Sequence, residues 1–276
     1  MDLDGFRRDG YLAVRGAFGS ATAASCRERI WAALTERGVR PGDRSSWPPL
    51  VRIDDLDGAM FDVAGTSPAL AAAYDELIGP GRWTRPVPAG HAIVVRFPTP
   101  EDERANAGYH IEGSYSGPGG YWVNVRSRAR GLLALILLTD VGPDDAPTRL
   151  VCGSHLYVPE FLAPHGETGV CADADFWRPS VLCRPVVHAT GQAGDVFLCH
   201  PFIVHTATWP HRGQGPRMIA QPAVHIHGGF ALDGSDPAPV AQAIRAGLAM
   251  NPPAAETGPV PRVASGPSQR PSGPTQ

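Results

Sequence analysis

The chain has 276 residues, of which 24 are basic and 27 acidic, and its formal net charge is −3. This slight acidity excludes the basic surface with which proteins bind nucleic acid or an anionic membrane, so the expected partner is a small molecule. All the basic residues other than histidine are arginine. The absence of lysine excludes Schiff-base chemistry and a lysine general base.

The first 90 residues are predicted to be mainly helical, because apolar residues recur there at helical spacing. The predicted helices lie around Phe6, over 20–38 and over 68–78, and a short extended segment at 11–14 follows the first of them. Ser20 or Thr22 is expected to cap the second helix. The third is expected to stop at the turn that begins with Gly79.

From His91 onward, short apolar or alternating runs are separated by turns rich in glycine and proline, which is typical of strands. The predicted strands are 91–97, 107–112, 121–125, 132–141, 148–152, 185–189, 195–200, 204–208 and 217–227. Their number and length predict a mainly β protein with flanking helices, whose core is a double-stranded β-helix, or jelly roll. Residues 156–182 are expected to form a loop-like insert that acts as a lid or substrate selector.

We expect one domain over residues 1–250, with a helical part at 1–90 and the jelly-roll core at 91–230. The tail, 251–276, is rich in Pro, Gly and Ser and is predicted to be disordered. The charged N-terminus lacks the apolar stretch of a signal peptide, and no apolar run is long enough to span a bilayer, so we expect a cytoplasmic protein. The five scattered cysteines are expected to be reduced.

A His-x-Glu motif at His110 and Glu112 is the strongest chemical signal in the chain. Residues i and i+2 of a strand point to the same side, so both side chains are expected to face one point while Ile111 faces away. A distant strand that carries His200 or His205 can supply a third ligand. Two imidazoles and one carboxylate form the facial triad of non-haem Fe(II) oxygenases, which leaves positions open for O2 and a co-substrate.

Other motifs accompany this one in a fixed order along the chain. They are Phe6-Arg7-Arg8-Asp9-Gly10-Tyr11, Gly153-Ser154-His155, Gly194-Asp195-Val196 and, after His205, Arg217. The series resembles the phytanoyl-CoA dioxygenase family of Fe(II)/2-oxoglutarate oxygenases over about residues 4–230. The resemblance implies that His110, Glu112 and His205 are the catalytic iron ligands. His200 ends the strand before the Pro201 turn and is expected to be structural or to contact a ligand, and His155 is expected to be a turn residue that anchors a loop.

The resemblance also implies that Arg217 binds the distal carboxylate of 2-oxoglutarate. A guanidinium fork is suited to that task, because it binds a carboxylate with two hydrogen bonds and stays charged. The implied reaction consumes O2 and 2-oxoglutarate, releases succinate and CO2, and hydroxylates a small molecule, with secondary metabolism as the expected setting.

Two positions depart from the family pattern. Glu112 stands where most members have aspartate, and Cys152 stands where a proline usually precedes Gly-Ser-His. Glutamate is longer by one methylene and still offers an anionic oxygen, so iron binding is expected with a shifted geometry. Related halogenases lack this carboxylate, and its presence therefore favours oxygenation.

Six further residues are candidates for the substrate site: Arg96, Tyr109, Trp122, Asn124, Gln221 and His225. Arg96 is a charge within an apolar strand, which is costly unless it is paired, so it either contacts substrate or co-substrate or pairs with an acid such as Asp140. Gln221 and His225 share a face with Arg217 if that strand is regular, although Pro222 could bulge it.

Two alternatives to the oxygenase hypothesis differ in their requirements. A cupin-like, non-oxidative isomerase or lyase would use zinc or another divalent ion, would form no succinate and would not need Arg217. A binding protein with a vestigial metal site would fold normally without metal.

Overall fold

The structure is a computed structural model, and it describes residues 1–99, 108–172 and 184–250. The predicted tail and the part of the predicted insert at 173–182 lie outside the described residues. The helices are α1 (Leu3–Asp9), α2 (Ser20–Glu36), α3 (Ala59–Gly65), α4 (Pro68–Ile78), α5 (Val158–Leu162) and α6 (Pro239–Met250). None of the helices in these ranges is long and apolar enough to cross a membrane.

Thirteen strands form three antiparallel sheets within the described ranges. The strands are β1 (Tyr11–Val14), β2 (Leu50–Ile53), β3 (Ile93–Arg96), β4 (Tyr115–Gly117), β5 (Gly120–Val123), β6 (Arg130–Leu137), β7 (Arg149–Val151), β8 (Val170–Cys171), β9 (Val186–His188), β10 (Val196–Cys199), β11 (His205–Thr206), β12 (Arg217–Ala220) and β13 (Ala223–His225). The large sheet has the order β1-β10-β6-β12-β3-β2, and β13 also pairs with β6. The smaller sheets are β11-β7-β9 and β4-β5-β8.

The two faces of β6 belong to two different layers of the core. Leu133, Leu135 and Leu137 are buried between the large sheet and the β11-β7-β9 sheet, where they cluster with Leu150 and Ile219. The alternate residues of β6 pack in a second cluster with the helices. Burial on both faces explains why this strand reads as a continuous apolar run. The predicted jelly-roll core with flanking helices is confirmed.

The strand that follows Arg217 keeps its register past Pro222. Ala220 pairs with Ile136 and Ala223 with Leu133, which is the same register on both sides of the proline. Pro222 has no N–H group, but its carbonyl accepts a hydrogen bond from the Ala134 amide at 3.2 Å. The register shifts only between Val224 and His225. Residues 217, 219, 221 and 223 therefore face the space between the sheets.

The helical predictions hold for α1, α2 and α4, with one error at a cap. Ser67 caps α4 by accepting a hydrogen bond from the Leu70 amide, and Pro68 lies in the first turn. The N-cap of α2 is instead Gly19, which has no side chain to make a capping bond. The prediction that Ser20 or Thr22 caps this helix is therefore wrong, since Ser20 is already its first residue.

Several predicted segments differ from the structure. The strand predicted at 107–112 is reduced, in its described part, to one bridge between His110 and His205. The insert is not a simple loop, because it contains α5 and β8, and β8 pairs with β5. β2, β4, α3 and α6 had no counterpart in the prediction. The four described cysteines are free, as expected: Cys26, Cys152, Cys171 and Cys199.

Candidate functional site

His110 and His205 lie directly opposite each other on two antiparallel segments. Each amide donates to the carbonyl of the other residue, at 3.0 Å in both directions. Their rings therefore project to the same side, with centroids 4.4 Å apart. Glu112 follows two residues later and points the same way, while Ile111 is buried in the core as predicted. A single β-bridge is thus enough to bring the three side chains together, whereas the sequence pattern predicted a regular strand at this position.

Hydrogen bonds to the backbone orient both imidazoles. Nδ1 of His110 lies 3.0 Å from the Gly108 carbonyl, and Nδ1 of His205 lies 3.1 Å from the Ile203 carbonyl. A carbonyl can only accept, so each Nδ1 carries the proton and each Nε2 presents a lone pair in the neutral ring. This arrangement is typical of histidines that bind a metal through Nε2.

The Glu112 carboxylate completes a cluster of three donor groups. Its Oε1 atom lies 3.3 Å from Nε2 of His205 and 3.9 Å from Nε2 of His110. Burial opposes the charged form of Glu112, but His205, Arg130 and His110 lie close to its carboxylate and lower its pKa to about 2. Burial and the neighbouring His205 lower the pKa of His110. At neutral pH the cluster thus offers an anionic oxygen and a neutral His110.

The cluster fits a divalent metal ion. One ligand atom from each of the three residues lies within 4.8 Å of the others. Ligands bound at about 2.1 Å on one face of an octahedral ion are about 3 Å apart, so a small inward movement of the side chains would close the site. Two imidazoles and a carboxylate suit Fe(II) and leave the opposite face open for a bidentate co-substrate and O2.

His110 and Glu112 line a cavity of about 830 Å³. Among the predicted substrate residues, Tyr109, Gln221 and His225 line it. Arg130 also lines it, on the side of the Glu112 carboxylate, with its Nη2 atom 3.8 Å from Oε2. The sequence analysis missed Arg130, because nothing in its position at the start of an apolar run indicates which acid it faces.

Trp122 and Asn124 do not line this cavity. The Trp122 indole donates to the Pro118 carbonyl at 3.0 Å. Asn124 is fully buried, where its side-chain amide donates to the Glu167 carbonyl and its oxygen accepts from the Arg128 amide. The geometry therefore gives both residues roles in the packing of the loop around them rather than a direct contact with a ligand in the cavity.

Two buried arginines lie farther along the inner face of the large sheet. Arg217 and Arg96 are directly opposite each other on β12 and β3, with exposed fractions of only 2% and 5%. Burial and the nearby Arg96 guanidinium lower the pKa of Arg217. Arg96 packs against the Trp209 ring and donates to the Thr208 carbonyl at 3.4 Å. It makes no ion pair with Asp140, which accepts instead from the Ala193 amide.

This arginine pair fits a carboxylate ligand. Arg217 donates to the Ala146 carbonyl through Nη1, but its buried Nε has no hydrogen-bond partner among the described residues. The buried Thr208 hydroxyl and the Nε2 atom of His211 also lack partners within the same ranges. Buried polar groups without partners are costly, and an anionic ligand would satisfy them. Thr208, whose carbonyl contacts Arg96, follows His205 by three residues in the chain. The arginine pair therefore lies next to the segment that carries His205.

His200 is remote from the metal cluster. It is fully buried, its Nδ1 accepts from the Phe202 amide at 3.1 Å, and its Nε2 lies 3.3 Å from the Val240 carbonyl. Its ring packs against that of His155, with centroids 4.8 Å apart. Both ring nitrogens are therefore engaged in holding the fold together, and of the two histidines the structure brings His205, not His200, to His110 and Glu112.

An antiparallel double sheet with a two-histidine, one-carboxylate cluster and an inner arginine pair is the arrangement expected of an Fe(II)/2-oxoglutarate-dependent oxygenase. The family model described as phytanoyl-CoA dioxygenase (PhyH) matches residues 116–219. The predicted resemblance to that family is confirmed over the matched residues. The predicted cofactors, Fe(II), 2-oxoglutarate and O2, are those of the class. The matched segment contains His205 and Arg217 and begins after His110 and Glu112.

Solved structures with the same fold include enzymes of this class. The epimerase SnoN, crystallised with Fe3+, alpha-ketoglutarate and nogalamycin RO, is 22% identical, with a TM-score of 0.56 and a coverage of 82% of each chain. The alpha-ketoglutarate-dependent carbocyclase SnoK is 20% identical, with a TM-score of 0.54 and again 82% of each chain. At this identity the likeness concerns the fold. No curated protein matches the sequence.

Proposed function

We propose that this enzyme is an Fe(II)/2-oxoglutarate-dependent dioxygenase that hydroxylates a small molecule of secondary metabolism and releases succinate and CO2. One observation carries the proposal: the ligand atoms of His110, Glu112 and His205 converge beside a cavity that His110 and Glu112 line, and a buried arginine pair lies on the inner face of the same barrel. In this proposal the three residues hold Fe(II), which would supply the redox chemistry with O2.

The protein groups have separate tasks in this proposal. The carbonyls of Gly108 and Ile203 keep the two Nε2 lone pairs aimed at the metal. Arg217 binds the distal carboxylate of 2-oxoglutarate, and Arg96 adds a second positive charge beside it. Because both arginines are buried, their attraction to a carboxylate is screened little by solvent.

The lining of the cavity supports a small, polar substrate. Asp54, His91, Gln221 and His225 add hydrogen-bonding groups to its wall. Such groups suit a substrate that carries hydroxyl or amino groups better than a long acyl chain. The nogalamycin RO bound to SnoN is consistent with a natural product as the substrate class here.

The non-oxidative alternative gives no reason for the arginine pair. A metal-dependent isomerase or lyase without a dicarboxylate co-substrate would supply no anionic ligand to the buried Nε of Arg217, which has no hydrogen-bond partner among the described residues. A buried donor without a hydrogen-bond partner is costly. We therefore prefer the oxygenase reaction.

The test is an anaerobic titration with Fe(II) and then with 2-oxoglutarate, followed by turnover in air. We expect a weak metal-to-ligand charge-transfer band in the visible, and succinate release when a panel of hydroxylated natural products is supplied. Arg217→Ala should weaken 2-oxoglutarate binding by about 100-fold or more, since it removes a buried charged partner.

The matched control is Arg27→Ala, because Arg27 also donates through Nη1 to one carbonyl, that of Leu138, but on the helix side of the sheet. It should leave the band unchanged. Absence of the band in the wild type would refute the proposed function. A product of unchanged mass would refute hydroxylation while leaving the cofactor assignment intact.

A further inference from the structure

The two oxygens of the Glu112 carboxylate have different surroundings. Oε1 faces the two imidazoles, at 3.3 Å from Nε2 of His205 and 3.9 Å from Nε2 of His110. Oε2 faces away from them and lies 3.8 Å from Nη2 of Arg130. The carboxylate thus lies between the metal cluster on one side and a guanidinium group on the other.

Arg130 is held firmly in this position. Its Nε donates to the carbonyl of Gly113, the residue after Glu112, at 2.9 Å. Its own carbonyl accepts from the Ser127 hydroxyl at 2.8 Å. Only 11% of its side chain is exposed, and its Nη1 is enclosed without a hydrogen-bond partner among the described residues.

The buried charge of Arg130 needs an anion. Among the ion pairs within the described ranges, Glu112 is the acid that faces it. The separation of 3.8 Å is longer than a hydrogen bond, but a small rotation of either side chain would close it. Since a buried charge is costly without a partner, Arg130 and Glu112 stabilise each other in this arrangement.

We propose that Arg130 is a positioning residue that makes Glu112 a one-oxygen ligand, a role that rests on the proposed function. By holding Oε2, it directs Oε1 alone to the metal. A carboxylate that bound through both oxygens would occupy a further coordination position, which the co-substrate and O2 require. Glutamate has one more rotatable bond than aspartate and therefore loses more conformational entropy when fixed, so an anchor matters more at this position.

The test uses Co(II) as the probe, because its visible absorption reports on coordination number as well as on binding. Arg130→Met should lower Co(II) affinity by about 10- to 100-fold, as is typical when a group that orients a metal ligand is removed, and should change the visible spectrum of the complex. Arg130→Lys keeps the charge, and we expect it to restore part of the affinity.

The matched control is Arg126→Met. Arg126 has the same pattern of contacts, since its Nε donates to the Phe230 carbonyl and its Nη1 donates to Glu167, but that acid does not belong to the metal cluster. We expect the affinity and spectrum of this variant to equal those of the wild type. Far-UV circular dichroism of each variant shows that it has folded, and a misfolded Arg130→Met is replaced by Arg130→Lys and Arg130→Gln.

A double-mutant cycle isolates the contact with Glu112. In a Glu112→Asp background the shorter carboxylate no longer reaches Arg130, so Arg130→Met should change Co(II) affinity by less than about 3-fold. An equal loss in both backgrounds, or an unchanged affinity and spectrum in the single variant, would overturn the proposal. If the wild type binds no Co(II), the proposed function itself is wrong, which is a distinct outcome.

Discussion

Two pairs of packed histidines lie in this protein, and they have opposite properties. In the first, His110 and His205, the ring centroids are 4.4 Å apart and Glu112 approaches both Nε2 atoms. In the second, His155 and His200, the centroids are 4.8 Å apart and both side chains are fully buried. The distance between the rings is thus similar, and their function has to be decided by what surrounds them.

The backbone contacts of the rings differ in a simple way. In the first pair the carbonyls bind Nδ1, which leaves both Nε2 atoms facing Glu112, and His110 and Glu112 line a cavity. In the second pair the carbonyls of Arg7 and Val240 face the Nε2 atoms instead. The contacts of the second pair thus connect α1, α6 and the Gly-Ser-His turn.

The comparison shows that proximity of two imidazoles does not make a metal site. A site also needs lone pairs that converge, an anionic group and access from solvent. The first pair has all three, whereas the second has none of them and replaces them with hydrogen bonds that stabilise the fold. Three predictions separate the two pairs further.

The largest effect is expected for His205→Ala. The loss of one of three ligands should lower Fe(II) or Co(II) affinity by more than about 100-fold, which exceeds the typical effect of removing a supporting contact. The free energy of unfolding without metal should fall by less than in a His200 variant, because the His205 ring contacts only one backbone group, the Ile203 carbonyl. Isothermal titration with Co(II) and urea denaturation measure the two quantities.

His200→Ala is the control and should show the reverse pattern. Removal of this buried ring leaves a cavity and two unsatisfied backbone groups, so we expect a loss of about 3 kcal/mol in the free energy of unfolding. Metal affinity should stay at the wild-type level. If His200→Ala abolished metal binding in a folded protein, the assignment of His205 as the third ligand would be wrong.

The contrast between the pairs was only partly predictable from the sequence. The i, i+2 spacing of His110 and Glu112 indicates a shared direction, and the motif order favours His205. The pattern could not show that a single bridge, rather than a strand, joins His110 to His205. It also could not find α6, whose Val240 carbonyl faces His200, or the approach of Arg130 to Glu112. These contacts depend on tertiary packing between segments far apart in the chain.

A second prediction concerns the pH dependence of stability. Burial, with a smaller contribution from Arg184, lowers the pKa of His155 to about 4, while its unfolded value is about 6.5. Below pH 6.5 the unfolded chain takes up a proton that the folded chain does not, so the free energy of unfolding decreases as the pH falls toward 4. Between pH 7.5 and 5 this residue alone should account for a loss of about 2 kcal/mol.

His155→Gln tests this assignment, because glutamine can still donate to the Arg7 carbonyl but does not titrate. Between pH 7.5 and 5, the free energy of unfolding measured by urea denaturation should fall by about 2 kcal/mol less in the variant than in the wild type. Carboxylates with lowered pKa, such as Asp195 and Asp236, lose their contribution to the free energy of unfolding only below about pH 4. They therefore do not affect the comparison between pH 7.5 and 5. Equal decreases in both proteins would mean that His155 is protonated in the folded state.

The smallest effect is expected at the helix that holds His155. Asp2 caps α1 by accepting a hydrogen bond from the Gly5 amide at 2.8 Å, and α1 presents the Arg7 carbonyl to His155. Asp2→Ala should therefore lower the free energy of unfolding by about 1 kcal/mol. Asp4→Ala removes only an exposed ion pair with Arg7 and should cost less than about 0.5 kcal/mol. Neither change should alter Co(II) affinity, since α1 supports the buried pair alone, and a loss of metal binding in either variant would show that the two pairs are coupled through the fold.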